Sequence, residues 1–150
     1  MVETREAEHA DDLLEYADPR DPLVWLRRGE GFVAVGGAAP VAAIHIPGGE
    51  AERSVRMAEA WRALSADAVV DDAVQVPGTG LVGFTALAFD DRSAAASVLI
   101  VPSVIVGRRG GRSWITRITR EGAPLPEAPT APTPYGPHWS ATLGPGALAP

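Results

Sequence analysis

Residues 77–89, PGTGLVGFTALAF, contain the glycine spacing of a dinucleotide-binding loop, G-x-G-x-x-G. The three glycines are Gly78, Gly80 and Gly83. Such a loop binds pyrophosphate where a strand precedes it and a helix begins within it, because the helix N-terminus offers free N–H groups. Here Gly83 is followed by FTALAFDD, whose aromatic and β-branched residues favour a strand. The stretch therefore predicts a turn leading into a strand, with Gly83 at a bulge or close approach of another backbone, and no nucleotide site.

Three arginines beside a double glycine form a second candidate site, for phosphate. They are Arg108, Arg109 and Arg112, around the turn at Gly110 and Gly111. Arginine binds phosphate through a planar set of N–H donors. No aromatic residue and no phosphate-cradling loop accompany these arginines, so the pattern favours the solvated tip of a hairpin.

The remaining residues with catalytic side chains do not fall into catalytic patterns. The histidines His9, His45 and His138 share no metal-ligand spacing. The acids occur as the doublets Asp11-Asp12, Asp71-Asp72 and Asp90-Asp91. Neighbouring residues in a strand point to opposite sides, so a doublet is a poor general acid/base pair. Ser97 and Ser103 lack the G-x-S-x-G elbow of a nucleophilic serine. We therefore assign no catalytic, cofactor-binding or metal-binding residue.

Composition excludes several classes of function. The 150 residues suffice for one domain, and the net charge of -6 disfavours nucleic acid and anionic membranes as partners. The absence of cysteine excludes disulfides and thiolate chemistry, and we expect a cytoplasmic protein. All 13 basic residues are arginine, so this chain by itself supplies no lysine base or Schiff base.

The hydrophobic pattern predicts an α+β fold of antiparallel sheets with packed helices. Its expected elements are a polar leader at 1–20 with a short helix at 11–16, strands at 23–27, 31–35 and 41–46, a helix at 50–69, strands at 81–89, 97–106 and 112–119, and a proline-rich tail at 124–150. Residues 97–119 read as one long hairpin, with Pro102 at a bulge or edge. The apolar run 98–101 predicts burial on both faces of its strand, which a chain this short can hardly provide alone.

The predicted helix is amphipathic. Its apolar stripe is Ala51, Val55, Ala58, Trp61 and Leu64, with Arg53, Arg56, Glu59 and Arg62 largely off the stripe. Glu50 and Glu52 are expected in its first turn, where the helix dipole favours acids. A stripe of this kind predicts one face packed on the protein core.

Several stretches resemble the N-terminal half of isochorismate synthase, of the chorismate-binding enzyme family, in its actinobacterial form. The resemblance covers LVWLRRGEGFVAVGGA (23–38), residues 58–118 and the proline-rich stretch after Gly122, and PGTGLVGFTALAFDD and SVLIVPSVIVGRRGGRSWIT are its distinctive blocks. It implies one α+β domain of two antiparallel sheets with outer helices, to which both halves of the enzyme contribute strands. On this basis residues 21–123 are the N-terminal half of the fold.

The resemblance also implies an activity. In the full-length family, chorismate and Mg2+ bind, a lysine activates water, a glutamate protonates the leaving hydroxyl, and further glutamates hold the metal. The product, isochorismate, leads to menaquinone, siderophores or salicylate. Those residues belong to the C-terminal half, and none is matched here. We therefore expect an N-terminal fragment that is inactive alone and marginally stable, and that associates with a catalytic half or with itself.

Two alternatives stay open. One is a fragment of component I of anthranilate or aminodeoxychorismate synthase, although PLVWLRRGEG stands where those proteins carry an effector-site segment. The other is a stand-alone, non-catalytic β-rich binding module.

Overall fold

Nine strands, one α-helix and one 3₁₀ helix make up the described part of the chain. The structure is a computed structural model that describes residues 1–8, 10, 12–90 and 92–130. The elements are β1 (Val2–Ala7), the 3₁₀ helix (Leu13–Tyr16), β2 (Val24–Arg27), β3 (Glu30–Ala34), β4 (Ala42–Ile46), α1 (Arg53–Ala66), β5 (Val70–Asp72), β6 (Phe84–Ala86), β7 (Ser97–Val101), β8 (Val104–Arg109) and β9 (Arg112–Ile118). The described part of the chain is therefore α+β, mostly antiparallel sheet with one packed α-helix, which confirms the predicted α+β class. No helix of the described residues has the length and apolar character to cross a lipid bilayer.

The larger sheet has the strand order β2-β3-β8-β9-β1-β5, and only β1 and β5 pair in parallel. Strand β1 was not predicted, since residues 1–20 read as a polar leader. In β1 the buried Val2 and Thr4 alternate with charged Glu3 and Arg5. The charged residues dominate the composition of the segment, whereas the alternation is what places it inside the sheet.

The smaller sheet has the order β4-β7-β6. In β7, Leu99 and Val101 are buried, while Val98 and Ile100 are half-buried, so the described residues cover the second face of this strand only in part. The predicted hairpin at 97–119 is also divided: β7 lies in the smaller sheet, and only β8 and β9 pair. Pro102 is buried between β7 and β8. The residue that cannot donate a ladder bond thus stands where the chain passes from one sheet to the other.

Helix α1 is shorter than predicted, and its buried face matches the predicted stripe only in part: Ala58, Trp61 and Leu64 are half-buried, whereas Ala51 is exposed. Arg53 and Met57 are its buried residues, Trp61 is half-buried, and Val55 is 50% exposed. The spacing of 53, 57, 61 and 64 is equally helical, and the buried face is turned toward Arg53 and Met57. Glu52 stands at the helix N-cap rather than in the first turn, and Glu50 pairs with Arg56.

The core lies where the sheets and α1 meet. Val2, Val101, Ile105 and Ile118 form its centre, with Trp61 packed against them. On the other side of the larger sheet, the 3₁₀ helix covers Val33 and Val106. The tail prediction falls largely outside the described residues, since 131–150 are not described; residues 124–130 have no regular secondary structure.

Candidate functional site

The glycine-rich stretch lies over the larger sheet and is held there by a polar network. The Asp72 carboxylate, at the end of β5, accepts hydrogen bonds from the Val74 N–H (2.9 Å) and the Gln75 N–H (3.0 Å). The Thr79 hydroxyl donates to the same carboxylate. The Gly80 N–H donates to Thr4 Oγ1 at 3.2 Å, and that hydroxyl is 2.9 Å from Thr116 Oγ1 inside the sheet.

The network also sets the ionisation of Asp72. Burial by itself opposes ionisation of the carboxyl group. The hydrogen bonds from Thr79, Gln75 and Val74, together with the positive charge of Arg112, outweigh it, so the pKa of Asp72 lies below its ordinary value. An ionised Asp72 therefore stabilises the loop that carries the glycines.

This geometry confirms the turn and strand predicted from the glycines. Gly78 and Gly80 have φ values of 105° and 77°, and strand β6, not a helix, follows Gly83. A Cβ on Gly83 would lie 2.8 Å from Leu99 Cδ1 and 2.9 Å from Trp61 Cζ3. The close approach predicted at Gly83 is thus made by side chains rather than by another backbone. The Gly80 N–H, which a nucleotide loop would offer to phosphate, is already bonded within the sheet.

The three arginines of the β8–β9 hairpin do not converge on one site. The Arg108 guanidinium donates to the Gly29 carbonyl (Nη2, 2.6 Å) and the Ala10 carbonyl (Nη1, 2.6 Å). Arg112 donates to Glu6 (2.8 Å) and to the Val74 carbonyl (2.9 Å). Arg109 is exposed at the hairpin tip, as predicted for that tip. Two of the three side chains thus hold neighbouring segments in place.

The other candidate residues have structural partners or lie apart. His45 is exposed on β4, whereas His9, His138, Asp11 and Asp91 lie outside the described residues. Asp12 caps the 3₁₀ helix and Asp71 pairs with Arg5. The Asp90 carboxylate binds Arg92, whose hydrogen bonds lower the pKa of Asp90. Ser97 is buried and accepts the Ala88 N–H at 3.1 Å, and Ser103 is half-buried. Within the described ranges, no group of three or more His, Asp or Glu side chains is placed to hold a metal ion.

A buried arginine was missed by sequence reasoning. Arg53 is 2% exposed, and its Nη1 donates to the Ala95 carbonyl at 2.7 Å while Nη2 donates to the Asp90 carbonyl. It therefore ties the start of α1 to the connection between β6 and β7. The available signal was the strong apolar series 57, 61 and 64, which places residue 53 one turn earlier on the same face.

Apolar side chains are exposed to solvent at two further places in the described part of the chain, after β6 and beside α1. Leu87 is 51% exposed and Phe89 is fully exposed, both directly after β6. Separately, a cleft of about 640 Å³ opens between α1 and the two sheets, and its apolar lining includes Val41, Leu64 and Leu81. The Arg120 guanidinium lies at its rim and donates to the Val41 carbonyl at 2.6 Å. Apolar side chains dominate the lining of the cleft, whereas the surface around Leu87 and Phe89 also carries Asp90 and Arg92.

Comparisons with protein-family models, with curated proteins and with solved structures find no match to this chain.

Proposed function

We propose that this chain is the non-catalytic N-terminal half of an isochorismate synthase-like enzyme, and that it completes the fold of a half that binds chorismate and Mg2+. The two mainly antiparallel sheets and the packed helix are consistent with the architecture that the resemblance implies. The distinctive block of the resemblance includes the glycine loop, β6 and the β8–β9 hairpin. In this role the glycines serve the backbone, and the catalytic lysine and glutamates come from the other half.

The observation that carries the proposal is the exposed apolar end of β6. The sequence LVGFTALAF predicts a strand over 81–89, yet among the described residues only Phe84–Ala86 of this stretch form a strand, and they pair with β7 alone. Beyond them Leu87 and the fully exposed Phe89 have no cover among the described residues. Burial of a phenylalanine side chain contributes about 1.5–3 kcal/mol, so this surface favours a further layer of protein.

Pairing at β6 gives the interaction a physical basis. Among the described strands β6 is an edge strand, and the N–H and C=O groups that do not face β7 can extend the smaller sheet. A catalytic half that adds a strand there would lengthen β6 and cover Leu87 and Phe89. The stretch PGTGLVGFTALAFDD, which resembles the enzyme family, thus also contains the exposed residues Leu87 and Phe89 that a partner would cover.

Complementation tests the proposal. The purified chain is assayed with chorismate and Mg2+, alone and with a separately expressed catalytic half of an isochorismate synthase. We expect no turnover from the chain alone, and a one-to-one complex that forms isochorismate in the mixture. Phe89→Asp should weaken the complex at least about tenfold, since it removes burial and adds a charge. Val55→Asp, at an exposed apolar residue of α1, is the matched control and should leave binding unchanged.

The product distinguishes the alternatives. Formation of anthranilate or aminodeoxychorismate with ammonia, in mixtures with the corresponding catalytic half, would favour the component I fragment. A cooperatively melting monomer that binds no hydrophobic dye and no catalytic half would favour a stand-alone binding module and contradict the proposal.

A further inference from the structure

Strand β2 is one of the two edge strands of the larger sheet, and an aromatic, cationic groove lies along it. Among the described strands, β2 pairs only with β3. Trp25 and Arg27 are exposed, whereas Val24 and Leu26 alternate with them and pack with the 3₁₀ helix on the opposite side. A groove of about 1040 Å³ runs between the β2–β3 hairpin and Gly78, with Trp25 and Phe32 in its lining. The edge and the groove together form a surface that we call the β2 edge.

The hairpin register leaves backbone groups available at this edge. Arg28 and Gly29 form the two-residue turn, with φ values of 55° and 77°, and Arg27 pairs with Glu30 across it. The pair flanking such a turn exchanges both hydrogen bonds, and bonded pairs then alternate along the ladder. The N–H and C=O groups of Trp25 and Arg27 therefore point to β3, and those of Val24 and Leu26 point to the open edge.

The β2 edge is positively charged although the protein is acidic, with a net charge of -6. Arg27, Arg28 and Arg109 all line the groove. Within the described part of the chain, no hydrogen bond or ion pair engages their guanidinium groups. The one acid in the groove lining, Glu30, accepts the Gly110 N–H at 2.9 Å. Unengaged cations beside an exposed indole complement a segment that carries both acids and an aromatic side chain.

We propose that the β2 edge binds an extended acidic segment of a partner protein by antiparallel strand addition. Hydrogen bonds to Val24 and Leu26 would supply the pairing, and alternate side chains of the segment would face the groove. A carboxylate opposite Arg27 and an aromatic side chain opposite Trp25 are the matching cross-strand pairs. Because the added strand runs antiparallel to β2, the acid opposite Arg27 comes two residues before the aromatic residue opposite Trp25. A second acid, two residues earlier still, would lie near Arg28 and Arg109. A second copy of this chain would bring the same arginines to the same edge, which like-charge repulsion disfavours.

Two synthetic peptides of identical composition test the spacing. In acetyl-TDTDTFTS-amide both acids and the phenylalanine share one face of a strand, whereas in acetyl-TDTTDFTS-amide one acid lies on the other face. Amide NMR shifts of the ¹⁵N-labelled protein are followed during titration with each. We expect saturable shifts at Val24 and Leu26 with the first peptide and at least about tenfold weaker binding of the second.

Charge reversal provides the control. Arg27→Glu should weaken the first peptide about tenfold, and a peptide in which arginine replaces only the aspartate opposite residue 27, acetyl-TDTRTFTS-amide, should recover binding to that variant. Arg62→Glu, at an exposed position of α1, carries the same charge change and should leave binding within about twofold. Affinity for the first peptide should also fall as the ionic strength is raised from about 0.05 to about 0.5 M, because added salt screens the charge pairs more strongly.

Four results would overturn the inference. Equal binding of the two peptides would show that the face of the added strand does not matter, which contradicts strand addition. Amide shifts at residues other than those of β2 would show that the peptide binds elsewhere. Concentration-dependent dimerisation that occupies Val24 and Leu26 would show that a second copy fills the edge. Tighter binding of a thymidine octamer at the same amides would show that the cations and the indole serve single-stranded nucleic acid. The inference does not depend on the proposed enzyme family, because β2 and β6 lie in different sheets.

Discussion

Replacement of Arg53 by methionine should destabilise the protein more than its position on a short helix suggests. Methionine keeps an unbranched stem and removes the guanidinium that donates to the Ala95 and Asp90 carbonyls. Hydrogen bonds from a charged donor contribute about 1.5–3 kcal/mol each. Release of a buried guanidinium from its desolvation penalty offsets part of that loss. We therefore expect a decrease of about 2 kcal/mol in the free energy of unfolding, and about 3 kcal/mol for Arg53→Ala, which also removes the stem packing.

The measurement combines global and local readouts. Urea unfolding followed by tryptophan fluorescence reports the global effect, since Trp61 lies two turns along the same face of α1. Limited proteolysis after Leu87 and Phe89 reports the local effect, because Arg53 ties the β6–β7 connection to the helix. A loss of about 1.4 kcal/mol in the opening free energy would raise the cleavage rate about tenfold. Arg62→Met makes the same chemical change at an exposed position of α1 and should stay within about 0.5 kcal/mol of the parent.

Equal free energies of unfolding and equal cleavage rates for Arg53→Met and Arg62→Met would show that the hydrogen bonds of Arg53 do not stabilise the protein. The two carbonyls would then be satisfied by water, and the arginine would be a passive occupant of the interface. A lower free energy of unfolding with unchanged cleavage would equally contradict a role in holding the β6–β7 connection.

Three further predictions follow from the sheet and its glycine loop. Gly107→Ala should cost at least about 1–3 kcal/mol in thermal or urea unfolding, because its Cβ would lie 2.3 Å from Trp114 Cε2; an unchanged stability would mean that Trp114 repacks freely. The folded pKa of Asp72 is depressed, so its stabilisation is present above its unfolded pKa and lost as pH falls through the folded value. Asp72→Asn should therefore reduce stability near pH 7 and flatten the acid side of the pH–stability curve below about pH 4, and an unaltered curve would exclude the carboxylate as a stabilising group. Calorimetric titration with NAD, FAD or ATP should give no heat of binding, whereas micromolar affinity abolished by Gly80→Val would overturn the assignment of a structural loop.

The sequence predicted local elements wherever a short-range chemical reason dominated. The stretch Arg28-Gly29-Glu30 indicates a turn between two apolar strands, and the observed strands β2 and β3 lie within one residue of those expected. The strand after Gly83 was likewise predicted from its aromatic and β-branched residues. These features depend on backbone conformations that few residues adopt, so they are visible without knowledge of the rest of the fold.

Features that depend on distant partners were not visible. Val2–Ala7 is a strand because β9 and β5 pair with it on both sides, and no local property of VETREA requires this. The burial of Arg53 depends on two carbonyls about forty positions later in the chain, at Asp90 and Ala95. Sequence periodicity measures how a helix can present its faces, but it does not say which face meets a partner.

The candidate surfaces divide in the same way. Composition and residue types alone determined that this chain carries no lysine and no cysteine, and so which chemistries it lacks. Only the tertiary structure decided that Arg108 and Arg112 are engaged while Arg109 joins Arg27 at the β2 edge, and that Phe89 is left uncovered. The reason is physical: a side chain's chemistry is set by its covalent structure, whereas its neighbours are set by strand pairing between segments far apart in the chain.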